Sequence, residues 1–476
     1  MGAELQAYKS QSPRPATTGP GPISRHGFAA KIVFFRKSMP LNLLRTEPAT
    51  LRLLFLAAYG LGLALEWLLD ALNRREARRH PSLPARFSGP MFAGRIDAET
   101  YARSRAYAAE RLAFEGAARA WTAALTLAML FSGLLPWLDA LLFRRCGDGL
   151  TRGVLFLAFV IAMPALLRLP LSVYATFRIE GKYGFNTMTW GLFVRDLGRA
   201  WLLSVGLGLP LLYTLMGFMR YTASAWWLWA FAFLIAFQAV GMILYPIFFA
   251  PLFNRFQPLE EGDLKTSLLS LAQRLRFPTG GIYVMDGSRR SLHSNAYFTG
   301  FGRFRRIVLF DTLLRQMEGP ELLSVLAHEI GHYKRKHIYK QLAASTLMLG
   351  ALLFLASLAL RWLPLYQAFG FPTALGPDTA GPPAVGLFLF LTLFSCLSPL
   401  FAPLQNFFSR KHEYEADAFA LEAMQDGAPM QSALIKLSEK NLSNLTPHPW
   451  YSAFHYSHPT LAERLRALEE GLRSKV

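Results

Sequence analysis

The stretch HEIGH, residues 328 to 332, contains the residue types that bind and use a catalytic metal ion. His328 and His332 are four residues apart, so on a helix both imidazoles lie on the same face. Neutral imidazole is a good zinc ligand, and a catalytic zinc site commonly takes three protein ligands and a water. Glu329 adjoins the first histidine and is placed to accept a proton from that water. The pattern therefore predicts metal-assisted hydrolysis, and it leaves the third ligand to be found elsewhere.

The residues just before HEIGH indicate that its helix is buried. They are almost continuously apolar: Leu322, Leu323, Val325, Leu326 and Ala327. A polar group left unpaired inside a protein costs about 2–7 kcal/mol, and a bound metal removes that cost for a His–Glu–His cluster. The alternative is two histidines on the surface of an ordinary helix.

The stretch SRKHEYEAD, residues 409 to 417, offers the third ligand. Glu413 and Asp417 are four residues apart and share a helix face. Glu413 can complete the metal site, and Asp417 can orient a ligand histidine through its other ring nitrogen. The alternative is a charged, solvated helix face, and His412 and Glu415, which lie off the Glu413 face, fit that alternative better.

These two stretches are embedded in a chain dominated by long apolar runs. Hydrophobic residues make up 53% of the 476 residues and charged residues 17%. A run of about 18 or more apolar residues is long enough to cross a bilayer. A single run could be the core helix of a soluble protein, but seven together predict a polytopic membrane protein. The runs are 51–72, 118–143, 153–177, 198–219, 225–249, 341–362 and 384–408.

The arrangement of the spans brings HEIGH and Glu413 to one side of the membrane. The runs 341–362 and 384–408 separate the two stretches, so the chain leaves and returns between them. The net charge of +19 is spread over loops between the runs, which favours membrane topology over nucleic-acid binding. Basic loops remain in the cytoplasm, which predicts a cytoplasmic C-terminus and active site. The charge distribution therefore argues against a nucleic-acid partner.

The polar regions divide the rest of the chain. Residues 1–50 read as a disordered extension, 51–253 as spans one to five, 254–340 as the first catalytic part, 341–408 as spans six and seven, and 409–476 as the second catalytic part. A helix is expected over 259–276, strands over 282–286, 295–301 and 306–311, and a helix starting near Gly319. The two cysteines exclude a disulfide framework and a thiolate metal site.

Five blocks together resemble the type I CAAX prenyl protease family. The blocks are HEIGH, SRKHEYEADAFA, EGKYGFNTMTW (180–190), DGSRRSLHSNAYFTGFGRFRRIVLFDTLL (286–314) and YSHPTLAERLRAL (456–468). Members of this family are integral-membrane zinc metallopeptidases of the gluzincin type. The resemblance implies a mainly α fold, in which seven transmembrane helices form a barrel around a chamber and a small α+β zinc-metalloprotease domain caps it.

The resemblance also implies roles for individual residues. It implies one Zn²⁺ per chain, held by His328, His332 and Glu413, with Glu329 as the catalytic base. It also implies that Asp417 supports a ligand and that Asn295 and Ala296 lie on an edge strand that pairs with the substrate peptide. His458 and Arg464 are implied to lie near the substrate and the oxyanion.

The expected function is that of a zinc metalloendopeptidase that removes the C-terminal tripeptide of prenylated proteins. The first alternative is a membrane-protein quality-control protease with broader substrates. A non-catalytic transporter or scaffold is less favoured, because few ionisable residues lie within the spans. The expected partners are a prenylated or membrane-associated peptide and the surrounding lipids. Richness in Ala, Leu and Arg suggests a bacterial inner membrane, with the endoplasmic reticulum as the eukaryotic alternative.

Overall fold

The computed structural model describes residues 47–87, 96–299, 305–371, 373 and 379–473. The first 46 residues of the predicted disordered extension lie outside these ranges, and residues 48–50 already belong to the first helix. The α-helices of five or more residues, in chain order, are α1 Pro48–Arg79, α2 Ala98–Phe131, α3 Leu134–Cys146, α4 Leu150–Val173, α5 Trp190–Tyr221, α6 Trp226–Leu244, α7 Asp263–Arg274, α8 Asp311–Gln316, α9 Gly319–Lys334, α10 His337–Ala359, α11 Leu363–Gln367, α12 Pro383–Ser395, α13 Ser398–Met424, α14 Ala428–Lys440, α15 Pro449–His455 and α16 Leu461–Arg473. The strands are β1 Phe256–Pro258, β2 Ile282–Met285, β3 Ala296–Thr299 and β4 Arg306–Phe310.

Five continuous helical segments are long and apolar enough to cross a membrane. They are Pro48–Arg79, Leu150–Glu180, Trp190–Tyr221, Ala223–Phe253 and His337–Ala359. Large apolar side chains along them face outward, and Leu61, Leu202 and Leu347 are 73–75% exposed. Apolar area of this extent suits a lipid environment rather than water.

Two of the predicted continuous runs, 118–143 and 384–408, are broken in the structure. The α2–α3 pair bends by 54° and the α12–α13 pair by 64°. Gly133, at the first break, adopts the left-handed region with φ of 79°. At the second break, Pro399 lies in the first turn of α13 and has no N–H to continue the ladder of α12. With each bent pair counted as one crossing, the total is the predicted seven.

Charged residues that the sequence places within or beside the spans are paired inside the protein. Asp139 receives two bonds from Arg152, at 2.9 Å from Nε and 2.6 Å from Nη2. Asp70 is fully buried and pairs with Arg119, which also lies 3.6 Å from Glu66. Such internal pairs hold helices together and neutralise these carboxylates, so Asp70, Asp139 and Glu66 do not indicate a transport path.

The small sheet lies beside the HEIGH helix, α9. The strand order is β1-β2-β4-β3, with β2 and β4 parallel and the other two pairs antiparallel. Alternate residues of β4, Ile307 and Leu309, are buried and pack with Leu322 and Leu326 of α9. The three predicted strands are confirmed: two end one residue earlier than predicted, and the third begins one residue later, at Ala296, with residues 300 and 301 outside the described ranges. The short strand β1 was missed, because three residues including a proline carry no strand signal.

Candidate metal centre

A capping box starts α9 and sets the orientation of the helix that carries HEIGH. Glu318 is the N-cap, and Glu321 accepts the backbone N–H of Glu318 at 2.8 Å. Pro320 occupies the first turn, where its missing N–H costs nothing. The buried Glu321 carboxylate also accepts hydrogen bonds from Ser432 and, at 2.8 Å, from Lys436 of α14. One side chain therefore caps α9 and joins it to α14.

Glu321→Gln is expected to lower stability at neutral pH, and the loss should shrink in acid. Burial raises the pKa of Glu321, but bonds from Lys436, Ser432 and the Glu318 N–H outweigh it and hold the pKa below its ordinary value. A carboxyl with a depressed folded pKa stabilises above its unfolded pKa, about 4.3, and loses that contribution as pH falls below it. Thermal midpoints in detergent should differ at pH 7 by the equivalent of about 1–3 kcal/mol, and the difference should shrink only as pH falls below about 4.3. Glu422→Gln, at an exposed position, is the control, and a pH-independent difference would contradict the assignment.

The two ligand-bearing helices, α9 and α13, approach closely at Gly331. A Cβ on Gly331 would lie 3.0 Å from Cα and 3.1 Å from the carbonyl oxygen of Ala416, and 3.2 Å from Cβ of Phe419. These first two neighbours are backbone atoms and cannot rotate away. Glycine at this position of HEIGH therefore lets His328 and His332 approach Glu413.

Gly331→Ala is expected to weaken metal retention and stability together. The added methyl must push α13 away from α9, and overpacking of this kind costs about 1–3 kcal/mol. Gly319→Ala is the matched control on the same helix, since a Cβ there meets nothing within 4 Å. Metal content after dialysis and the thermal midpoint are the measurements. Equal behaviour of the two variants would show that the close approach is unimportant.

Three potential ligand atoms converge between α9 and α13. Nε2 of His332 lies 3.1 Å from Nε2 of His328 and 3.3 Å from Oε1 of Glu413. Nε2 of His328 lies 3.6 Å from Oε2 of Glu413. One ligand atom from each residue fits within 4.8 Å of the others. The sequence therefore singled out three residues that the fold does bring together.

The donor set fits a divalent cation. Nδ1 of His328 lies 2.8 Å from Oδ1 of Asp417, so Nδ1 carries the proton and Nε2 presents its lone pair to Nε2 of His332. Oε2 of Glu413 is buried without a well-directed hydrogen bond, although Nδ1 of His458 is 2.9 Å away. Lone pairs that face one another in a buried space repel unless a cation lies between them. His328, His332 and Glu413 could hold that cation.

The carboxylate of Asp417 is held by Arg464. The guanidinium of Arg464 donates to Asp417 from Nε at 2.8 Å and from Nη2 at 2.6 Å. Its Nη1 lies 3.8 Å from Glu413 Oε2. Arg464, predicted to contact substrate, thus donates two of its five N–H groups to Asp417, and it also lines the adjacent cavity.

A cavity of about 360 Å³ opens beside the three ligand residues. Glu329, Asn295, Ala296 and His458 line it, so the remaining predicted site residues all border one space. Burial raises the pKa of Glu329, and the neighbouring His328 and His332 only partly oppose this. A carboxylate with a raised pKa beside the ligands is suited to exchange a proton with water.

Strand β3 borders both this cavity and a second, apolar one. It is an edge strand, paired only with β4, so its other side keeps free backbone N–H and C=O groups. Asn295 precedes it, and its carbonyl accepts the N–H of Phe310 at 3.1 Å. Ala296 lines the first cavity, whereas Phe298 and Thr299 line the second, which has a volume of about 680 Å³ and also reaches His332.

Three residues near the ligands were not recognised from the sequence. Glu415 and His412 were read as part of a solvated face, and His337 was given no role. In the structure, His337 is 4% exposed and contacts His332 and Glu415, and His412 stacks on it at 4.1 Å. Sequence spacing gave no signal for this cluster, since it depends on the turn between α9 and α10.

Comparisons with known proteins agree with this architecture. A family model described as the CAAX prenyl protease N-terminal region, five membrane helices, matches residues 73–255, and the model of peptidase family M48 matches residues 258–471. The chain is 37% identical to "CAAX prenyl protease 1 homolog" of Arabidopsis thaliana over 85% of this chain and 94% of that protein. It is 37% identical to "CAAX prenyl protease 1" of Saccharomyces cerevisiae, over 80% and 88% respectively.

A solved structure has the same fold. The crystal structure of S. mikatae Ste24p matches with a TM-score of 0.81 and 34% identity, covering 88% of this chain and 99% of that one. This match confirms the predicted membrane helical barrel with a small protease domain. The two family models together cover nearly all of the chain beyond α1. The chain therefore belongs to the CAAX prenyl protease family within peptidase family M48, and it is an integral-membrane metalloprotease.

Proposed function

We propose that the protein is a zinc endopeptidase whose ligands are His328, His332 and Glu413 and whose general base is Glu329. The observation that carries the proposal is the convergence of three ligand atoms within 4.8 Å, from the buried His328 and Glu413 and the half-buried His332, beside a carboxylate with a raised pKa. Two imidazoles and one carboxylate with room for water form a set typical of catalytic zinc. Zinc, when bound, lowers the pKa of water to about 7 and polarises the scissile carbonyl.

The residues around the proposed ligands supply proton transfer, orientation of a ligand and stabilisation of the oxyanion. Glu329 takes the proton of the attacking water and returns it to the leaving amine. Asp417, itself held by Arg464, keeps the proton of His328 on Nδ1 so that Nε2 faces the site. His458 borders the cavity 2.9 Å from Glu413, where its imidazole can donate to the carbonyl oxygen as negative charge develops.

The substrate is proposed to bind as an added strand along β3. Asn295 and Ala296 would contact the part of the peptide in the smaller cavity, and Phe298 and Thr299 the part in the apolar cavity. Main-chain hydrogen bonds supply affinity in this mode, and pockets supply specificity. The extended peptide would then pass beside Glu329.

The relatives' names and the apolar cavity support a prenylated substrate. Proteins named CAAX prenyl protease share this domain arrangement, and the 680 Å³ cavity is lined mainly by apolar side chains such as Leu207, Phe237 and Val240. Each buried CH₂ contributes about 0.8 kcal/mol, so an isoprenoid chain would add substantially to binding there. Removal of the tripeptide that follows a prenylated cysteine is the activity this arrangement favours.

Broader cleavage of membrane-associated proteins is the second candidate. It is favoured by the edge strand, because pairing with β3 reads the peptide backbone and not particular side chains.

A peptide panel distinguishes the two. The purified protein, incubated with a farnesylated CAAX peptide, its unprenylated twin and an unmodified membrane segment, is analysed by mass spectrometry. Release of an intact tripeptide from the farnesylated peptide alone supports CAAX processing. Equal cleavage of all three supports the broader role, and cleavage of none overturns the peptidase proposal.

The active site is proposed to lie on the cytoplasmic side, in a bacterial inner membrane or, for a eukaryotic chain, in the endoplasmic reticulum. Lys334, Arg335 and Lys336 at the end of α9 would meet anionic lipid headgroups. Cys146 is exposed at the end of α3, on the opposite side in this topology. In sealed inner-membrane vesicles with the periplasmic face outward, a membrane-impermeant maleimide should label Cys146 without lysis, and labelling only after lysis would reverse the orientation.

A further inference from the structure

The proposed ligand His332 contacts a second imidazole, that of His337, through its Nδ1. Nδ1 of His332 lies 3.0 Å from Nδ1 of His337, and Nε2 of His337 lies 2.9 Å from Oε2 of Glu415. His337 is 4% exposed, so its ring is shielded from water, whereas the Glu415 side chain is 29% exposed. The chain of contacts runs from Glu415 on α13, through His337 at the start of α10, to His332 on α9.

The turn between α9 and α10 creates this contact. Lys336 adopts a left-handed conformation with φ of 58°, which ends one helix and starts the other. In a continuous helix, residues five apart would diverge around the axis by about 140°. The break at Lys336 instead places the His337 ring beside the His332 ring, with the two ring centroids 5.1 Å apart.

Only one arrangement of protons satisfies every contact while His332 binds a metal. A ligand Nε2 must present a lone pair, so the proton of His332 is on Nδ1 and is donated to Nδ1 of His337. His337 then carries its own proton on Nε2, where the carboxylate of Glu415 accepts it.

The opposite arrangement is disfavoured by Glu415. If His332 carried its proton on Nε2, its Nδ1 would have to accept a proton from Nδ1 of His337. Neutral His337 would then turn the lone pair of Nε2 towards the carboxylate of Glu415 at 2.9 Å, which places two acceptors in contact. The carboxylate therefore selects the tautomer of His332 that can hold a cation.

We infer that His337 and Glu415 are positioning residues for His332: they fix its tautomer and ring orientation, as Asp417 does for His328. The inference rests on the proposed role of His332 as a metal ligand. In this arrangement each ligand histidine is linked to a carboxylate. His328 contacts Asp417 directly, whereas His332 is linked to Glu415 through the imidazole of His337. Both carboxylates come from α13, which also carries Glu413.

The test is metal affinity measured by competition with a chelator on the full-length protein in detergent. His337→Leu and Glu415→Leu should raise the dissociation constant for Zn²⁺ about 10–100-fold, the usual effect of losing a contact that orients a ligand. His337→Asn should recover much of the affinity, because its amide oxygen can occupy the place of Nδ1 and accept from His332. His412→Phe keeps the ring stacked on His337 and should leave the affinity unchanged.

A structural role would give a different pattern. If His337 served only packing, His337→Asn and His337→Leu would weaken binding alike and would lower the thermal midpoint of the metal-free protein alike. A positioning role predicts similar metal-free midpoints and a smaller rise in midpoint when Zn²⁺ is added to His337→Leu. Equal affinity of His337→Leu and the natural sequence would overturn the inference. Failure of the natural sequence itself to bind Zn²⁺ would instead overturn the proposed function.

Discussion

Glu329→Gln is expected to abolish peptide cleavage while the protein keeps its metal. The amide has nearly the shape of the carboxylate but cannot accept a proton from water or deliver one to the leaving amine. General acid–base catalysis contributes about 10²–10⁴-fold, and Glu329 performs both transfers, so a loss at or above the upper value is expected. The ligand atoms of His328, His332 and Glu413 are untouched by the change.

The measurements are turnover of the peptide that the natural sequence cleaves best and metal content by elemental analysis. Glu422→Gln makes the same chemical change at an exposed position of α13 and should match the natural sequence in both. Full activity in Glu329→Gln would refute the assigned base. Loss of metal in the same variant would show instead that Glu329 helps to hold the ion.

Glu413→Ala is expected to lose the metal itself. The carboxylate supplies the third ligand atom, with oxygens 3.3 Å from His332 Nε2 and 3.6 Å from His328 Nε2. Without it, two neutral imidazoles remain as ligands, and no anionic ligand contacts the buried divalent cation. Affinity should fall by more than the roughly 100-fold that marks the loss of a supporting contact.

Equilibrium dialysis followed by elemental analysis gives the metal stoichiometry, which should drop well below one per chain. Glu422→Ala is the matched control on the same helix. Retention of a full equivalent by Glu413→Ala would mean that another residue completes the site. The two catalytic-site variants therefore separate the roles, since Glu329→Gln should be loaded and inactive whereas Glu413→Ala should be empty and inactive.

The elements that carry the site were predictable because their signals are local. The i, i+4 spacing in HEIGH and in the Glu413–Asp417 pair predicted α9 and the proposed third ligand, and short strand-like runs separated by glycine turns predicted β2, β3 and β4. The spans followed from length and hydropathy. The bends did not, because a break at Gly133 or Leu397 depends on a few backbone angles inside a run that stays apolar throughout.

Contacts that depend on a turn or on packing between distant helices could not be predicted. His337 reaches His332 only because Lys336 adopts a left-handed conformation, which its residue type does not favour. Arg464 was expected at the substrate, and its two bonds to Asp417 became visible only when α16 was placed against α13. Gly331 drew no attention as a packing residue, since nothing in HEIGH indicates which helix lies against it.

The placement of Glu413 after a membrane hairpin has a consequence for biosynthesis. A nascent chain that has already folded α9 holds only His328 and His332, and it must still insert α10, α12 and the start of α13 before Glu413 emerges. If Glu413 is the third ligand, as proposed, the metal site is complete only after that point in synthesis. The protein would then gain its peptidase activity with the last membrane crossing.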